Sequence, residues 1–332
     1  MELCVIEGDG IGKEVIPAAV EVLQHLFPDL TLHPARAGWD CFNDLGTSLP
    51  DDTIELARTC RAVLFGACSS PSFPVDGSFS PIVRLRRLLK THANLRPTSY
   101  LPVPASRAGV ELLVVRENTE DLYVGDEQTN EFGGVAHKVI TRAATERIAI
   151  TAFKLAEQTG RKKVTIIHKA NVMPHTDGLF RRVSFEIAEH YPEIETDDLL
   201  VDTAAYWMVK DPTRFDVLLT PNLYGDILSD MAAAWGGGLG LAPALNLGED
   251  VAIAEPVHGS APDIAGKGIA NPTAAFLSAA MMVRYFWSMN ETAERIEKAV
   301  YKTLGAGIFT SDIQPSGAVS TIDFTKHVIA AL

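Results

Sequence analysis

Asp226 and Asp230 stand four residues apart in Tyr224-Gly225-Asp226-Ile227-Leu228-Ser229-Asp230-Met231, directly after an apolar run that reads as a strand. On a helix this spacing puts both carboxylates on one face, one turn apart, where they repel each other unless a cation lies between them. Hard oxygen donors suit Mg²⁺ or Mn²⁺, with the remaining coordination left to water or substrate oxygens. A lone pair at this spacing is ordinarily a solvated acidic face, but the apolar neighbours on both sides argue against free exposure.

Three arginines can supply the opposite charge. Arg86 follows a helix start at Ser80-Pro81, Arg96 lies in the Asn94-Leu95-Arg96-Pro97 turn, and Arg116 follows the strand Leu112–Val115. Guanidinium groups converging from three elements bind carboxylates bidentately; taken singly, each reads as a solvated surface group. Lys169, in His168-Lys169-Ala170-Asn171, ends the strand 164–167, where open α/β sheets place their chemistry. Near a metal and arginines its charged form is disfavoured, so it suits a base near neutral pH; elsewhere it is an exposed lysine.

Two loops invite a nucleotide. Glu255 to Pro272 is rich in Gly, Ser and Pro and is expected to be neither helix nor strand, offering backbone donors to a ligand or serving as a surface loop. Gly8-Asp9-Gly10-Ile11-Gly12 reads G-x-G-x-G, and the Rossmann fingerprint needs its third glycine where Lys13 stands, so a tight strand-to-helix turn is the better reading.

These residues need elements to position them. Apolar runs at 3–6, 62–65, 112–115, 164–167, 199–201 and 217–220 read as strands. Helical spacing follows Gly12, recurs at Ile148, Ala152, Leu155 and Ala156, and spans 274–283. Strands separated by helices predict an α/β protein with a largely parallel sheet covered on both faces.

With 332 residues the chain is long enough for about two domains. Its formal charge of −13 repels a phosphate backbone, so nucleic acid is not an expected partner. A small anionic substrate needs local arginines or a cation to reverse the field. Cys4, Cys41, Cys60 and Cys68 show no zinc spacing and read as buried reduced thiols. No basic leader and no apolar run of about 18 residues is present, so the expectation is a cytoplasmic protein without a membrane partner.

Six motifs in order resemble the β-decarboxylating dehydrogenases, the family of isocitrate, 3-isopropylmalate, homoisocitrate and tartrate/malate dehydrogenases. They are Ile6 to Gly12, Ala93-Asn94-Leu95-Arg96-Pro97, Arg116-Glu117-Asn118-Thr119-Glu120, His168 to Asn171, Asn222 to Asp230, and Glu255 to Pro272. The resemblance implies an isopropylmalate dehydrogenase-like two-domain α/β fold with a parallel or mixed sheet, not Rossmann. Residues 1–95 and 238–332 would form a large cofactor-binding domain, and 96–237 a small dimerisation and substrate domain. It also implies a homodimer with shared active sites, or a tetramer built from it. Asp226, Asp230 and the partner subunit's Asp202 would bind Mg²⁺ or Mn²⁺. Arg86, Arg96 and Arg116 would hold substrate carboxylates, Lys169 from the partner would be the base, and Tyr123 the acid. Asn171, Glu255, His258, Gly259, Ser260, Ala261, Asp263, Ile264 and Asn271 would bind the cofactor, Asn171 also facing substrate. Asp263-Ile264 stands where NADP-using members carry Lys-Tyr, so NAD is the expected cofactor. Retention of Tyr123, Lys169 and the three aspartates favours an enzyme over a non-catalytic regulatory subunit.

The substituent on the malate is read by the helix from Ser80, capped by its hydroxyl with Pro81 in the first turn. Ile82 and Val83 share the face of Arg86, and as apolar residues they favour an isopropyl group. The motif Gly77-Ser78-Phe79-Ser80-Pro81-Ile82-Val83-Arg84-Leu85-Arg86-Arg87 instead resembles fungal homoisocitrate dehydrogenases, as does Ser70-Pro71. The reading is homoisocitrate, in lysine biosynthesis, with Ser70, Ser72 or Ser80 meeting the distal carboxylate. Isopropylmalate is the alternative and isocitrate the third.

Overall fold

The computed structural model describes residues 1–69, 71–73 and 75–332. The chain opens with β1 (Glu2–Ile6), α1 (Gly12–Leu26), β2 (Thr31–Ala35), α2 (Trp39–Leu45), α3 (Asp51–Cys60), β3 (Ala62–Phe65) and α4 (Pro81–Leu88). Its middle runs through β4 (Ala93–Ser99), β5 (Glu111–Glu117), the hairpin β6 (Glu127–Asn130) and β7 (Gly133–Ala136), α5 (Arg142–Gln158), β8 (Lys163–His168) and α6 (Asp177–Ala188). There follow β9 (Glu195–Leu200), α7 (Val201–Lys210), β10 (Val217–Thr220) and α8 (Asn222–Ala233). The last elements are β11 (Pro243–Leu247), β12 (Ala252–Pro256), α9 (Thr273–Tyr285), α10 (Asn290–Gly305) and α11 (Thr321–Ala331).

Two compact units result. The first comprises Met1–Lys90, Tyr100–Ala108 and Gly236–Leu332, the second Thr91–Ser99 and Gly109–Trp235. Strand β4 belongs to the second unit, where it pairs along its whole length with β5. Strands in the first unit run β2-β1-β3-β12-β11, parallel apart from β11 with β12. In the second they run β4-β5-β10-β8-β9, parallel apart from β4 with β5. The α/β class with a mostly parallel sheet, expected from the alternation of patterns, is the observed one.

Each unit has its own apolar packing. Cys4, Ile6, Val63, Phe65, Leu85 and Ile253 are among the buried residues clustered in the first. Leu112, Val114, Ile167, Met208, Leu218 and Leu228 are among those in the second. Full burial of such side chains contributes about 1.5–3 kcal/mol each. The cluster in the second unit includes Leu228 and Ala232, both on α8, so the helix carrying Asp226 and Asp230 is held by packing from the opposite side.

Three local expectations are corrected. Asn94 to Pro97 is not a turn but the interior of β4, with Pro97 opposite Leu113. The proline suggested a break, yet antiparallel pairing with the apolar β5 holds the segment extended. Val201 is not a strand residue: β9 stops at Leu200, and Val201 opens α7, putting Asp202 in that helix's first turn. Glu255 and Pro256 belong to the end of β12, paired with Ala244 and Pro243, so the irregular stretch begins only after them.

Candidate active site

The core of the site in the second unit is set by the register of β4, β5 and β10. Asn94 lies opposite Arg116 across β4 and β5, and Thr220 lies opposite Arg116 across β10 and β5. Helix α8 starts two residues after Thr220, so its first turn rises directly over Arg116. Gly225 permits that approach: a Cβ there would sit 2.2 Å from Thr220 Oγ1 and 2.7 Å from Arg116 Cβ.

Arg116 is only 1% exposed. Its Nε and Nη2 donate to Asn222 Oδ1 at 3.0 and 2.7 Å, which fixes the guanidinium plane, and Nη1 donates to Asp226. Arg96 is held in the same way. Its Nε donates to Asn94 Oδ1 (2.8 Å), while Nη1 donates to Ser229 Oγ (2.9 Å) and Asp230 Oδ1 (2.8 Å). Its Nη2 lies 3.5 Å from Asp226. Sequence spacing did not single out Asn94, Ser229 or Asn222 as supports, although each lies inside a motif already noted.

Tyr123 sits in a single 3₁₀ turn, Leu122–Val124, and donates its hydroxyl to Asp226 Oδ2 at 2.6 Å. Its ring lies 5.0 Å beneath the Arg116 guanidinium. Burial, and then the bond to Asp226, push its phenol above the usual range, so it remains protonated at neutral pH. Asp230 is also pushed up, by burial first and by the neighbouring Asp226, against the pull of Arg96 and Arg116. Two hard-oxygen donors, partly exposed and mutually repulsive beside buried guanidinium groups, fit a divalent cation and an anionic ligand together.

The structure brings Lys169 and Asp202 together in a second cluster, where Lys169 Nζ pairs with Asp202 of the same chain. That bond holds the Asp202 carboxyl below its ordinary range. Beside it, His168 Nε2 meets Asp198 Oδ2 at 2.7 Å, and Arg181 Nε donates to the same oxygen at 2.9 Å. Asn171 is exposed.

In the first unit, Arg86 pairs with Glu255, both side chains 8% exposed. Ile82 packs against the apolar cluster, Val83 is half-buried, and Arg84 turns to stack 4.5 Å over Phe79. The expected capping bond from Ser80 is not made: Ser80 occupies the N-cap, and its exposed hydroxyl forms no bond to the first turn. Ser70 lies outside the described residues. The two glycine-bearing loops meet, for Ile11 N–H donates to Ser260 O (2.9 Å), Ser69 Oγ bonds Ser260 Oγ (2.8 Å), and a Cβ on Gly10 would sit 2.1 Å from Ser260 O. Further along, Gly259 and Asp263 are exposed, Ile264 is half-buried, and Ala261 has a left-handed φ of +40°. His258 is kept neutral by burial, with Nδ1 3.0 Å from Gly259 O. Asn271 donates to Asp312 Oδ2 (3.1 Å), and Thr310 Oγ1 donates to Asp312 Oδ1 (2.6 Å), which ties the 310–317 loop to this stretch. Separately, Glu2, His33 and Cys60 bring ligand atoms within 4.8 Å of one another. Burial and Glu2 push the Cys60 thiol up, and a protonated thiol is a poor metal ligand.

Arginines facing a carboxylate pair at the strand ends of an α/β unit define a site for a small anion and a divalent ion. The family described as isocitrate/isopropylmalate dehydrogenase matches residues 2–328. The isocitrate/homoisocitrate dehydrogenase of Thermus thermophilus is 51% identical over 330 residues, covering 99% of this chain and 98% of its own. The 3-isopropylmalate dehydrogenase of Archaeoglobus fulgidus is 49% identical over 334 residues, covering 100% and 99%. The crystal structure of isocitrate dehydrogenase from Methylococcus capsulatus superposes with a TM-score of 0.95 at 40% identity, covering 99% and 98%. The chain belongs to the isocitrate/isopropylmalate dehydrogenase family of decarboxylating dehydrogenases. Family members act on small carboxylates with a divalent metal and NAD or NADP, and are commonly dimeric. No helix among the described residues is long and apolar enough to cross a membrane.

Proposed function

We propose that this protein is an NAD-dependent homoisocitrate dehydrogenase, forming 2-oxoadipate on the α-aminoadipate route to lysine. The observation that carries the chemistry is Asp226, touched at once by Arg116, Arg96 and the Tyr123 hydroxyl. In this reading Asp226, Asp230 and the partner subunit's Asp202 hold Mg²⁺ or Mn²⁺. When bound, the ion lowers the pKa of the substrate hydroxyl and stabilises the enolate.

Arg96 and Arg116, with Arg86, orient the substrate carboxylates. The planes of Arg96 and Arg116 are set by buried Asn94 and Asn222, so little is lost in ordering them. Lys169, acting across a dimer interface, accepts the hydroxyl proton as hydride passes from C2 to the nicotinamide. The resulting 2-oxo acid releases its C3 carboxylate as CO₂, and Tyr123 returns a proton to that carbon. Its raised phenol pKa keeps the proton in place until the carbanion forms. The first unit would bind the cofactor through His258 to Asn271, with Asp263 on the adenosine ribose favouring NAD over NADP. The second unit would supply the dimer interface.

Homoisocitrate is favoured by the Gly77 to Arg87 motif and by the exposed Ser80 hydroxyl, which is available to a distal carboxylate. Ile82 and Val83, apolar beside Arg86, favour 3-isopropylmalate as the second reading. Initial rates with homoisocitrate, isocitrate, 3-isopropylmalate and D-malate, each with NAD and NADP, test the choice. The highest kcat/KM is expected with homoisocitrate and NAD; turnover of isopropylmalate without homoisocitrate overturns it. The shared site is tested by mixing Lys169→Met and Asp226→Asn chains after dissociation. Mixed dimers hold one intact site, so activity should return to about a quarter of wild type.

A further inference from the structure

We propose that Lys138 is a positioning residue for the dehydrogenation, a role that rests on the reading given under Proposed function. Lys138 lies between β7 and α5, and its side chain is 11% exposed. Its Nζ is 2.9 Å from Asp177 Oδ1 and 3.3 Å from Asp121 Oδ1, and both carboxylates are fully buried. The ammonium also sits 4.3 Å over the ring of Tyr224, on α8. One cation is thus shared by two buried carboxylates.

Each anion in turn holds the main chain of a segment that carries chemistry. Asp177 Oδ2 accepts the N–H of Lys169 at 2.7 Å. Asp121 Oδ2 accepts the N–H of Leu223, in the first turn of α8, at 2.9 Å, and Asp121 Oδ1 accepts the N–H of Leu122, next to Tyr123, at 2.9 Å. The segments bearing the base, the acid and the metal-binding carboxylates are therefore pinned through one ammonium. Asp121 has φ +69° and ψ −147°, a sparsely populated conformation that persists because its surroundings fix it. Without the ammonium, two buried carboxylates lose their shared counter-charge and draw apart, and the three N–H groups shift with them. A displacement of about 1 Å in a reacting group lowers the rate about 10²-fold.

The test compares wild type, Lys138→Met, Lys138→Arg and Asp177→Asn as full-length chains, well below their unfolding temperatures. Readouts are kcat, KM, the isotope effect with C2-deuterated substrate, and amide hydrogen exchange over residues 120–124, 167–171 and 221–225. Lys138→Met is expected to lower kcat about 10²-fold, raise the isotope effect and speed exchange in all three segments, with KM for the dinucleotide within about twofold. Lys138→Arg should recover most of the rate. If Lys138→Met does not fold, Asp177→Asn is read in the same way, with an expected loss of about tenfold. A kcat within about threefold of wild type in the folded variant, or exchange unchanged in the three segments, overturns the proposal. Wild-type protein that oxidises none of the malates overturns the reading under Proposed function alone, since exchange still reports whether Lys138 pins the segments.

Discussion

Two clusters in the second unit pair basic groups with carboxylates and are built to different standards. Around Asp226 the cations are buried and their planes are fixed by Asn94, Ser229 and Asn222, while the carboxylates keep an open side. Around Lys169 the partner is a single carboxylate, Asp202, 62% exposed, and among the described residues no second group orients the ammonium. An exposed ion pair is worth about 0–1 kcal/mol and separates easily. The hydrogen bonds that order the first cluster are made within one chain. The second is a pair that, in the proposed dimer, would open so that Lys169 and Asp202 meet groups of the other subunit.

That contrast can be broken or sharpened by substitution. The largest effect is expected from Asp226→Asn, which removes the charge of a proposed metal ligand and leaves one acceptor oxygen where Arg116 and Tyr123 now use two. Turnover should fall about 10³-fold or more, with Mg²⁺ affinity falling in parallel, as read by calorimetry on the folded protein. Lys169→Met comes next, with an expected loss of about 10²–10⁴ in kcat and a melting temperature close to wild type. A large drop in melting temperature would mean that the Lys169–Asp202 pair is a structural element rather than a resting one. Gly225→Ala should be intermediate, because its Cβ collides with Arg116 and Thr220; we expect destabilisation of about 1–3 kcal/mol by urea titration, and turnover reduced further than unfolding explains.

The smallest effect concerns the carboxylate beside the second cluster. Asp198 is held below its ordinary pKa of 3.8, first by Arg181 and then by His168. A depressed carboxyl contributes stability above its unfolded value, and the contribution is lost as pH falls through the folded value. Asp198→Asn should therefore cost about 1 kcal/mol at pH 7, with the difference from wild type closing below about pH 4. A difference that does not narrow as pH falls from about 4 in thermal melts would assign the effect to packing instead.

Asp226 and Asp230 were legible because four-residue spacing on a helix is a local geometric fact. Arg116 was legible because an apolar strand ends beside it. Arg96 was placed correctly in a motif but on the wrong element, since Pro97 resembles a turn until the long antiparallel pairing with β5 is known. Val201 was read as strand because it continues an apolar run, and only the packing of α7 decides otherwise. Lys138, Asp121 and Asp177 carried no signal: they come from three segments, and charged residues in loops read as solvated.

Six of the strands and the helical patterns between them, the helical face shared by two aspartates and the motif set that marks the family were determined by the sequence alone, because each depends on neighbours within a few positions. Which carboxylate meets which guanidinium, that Lys169 closes on Asp202, and that one buried ammonium serves two aspartates were decided only by the tertiary structure. Charge pairing depends on distances between residues far apart in the chain, and the register of β4, β5 and β10 with the docking of α8 sets those distances.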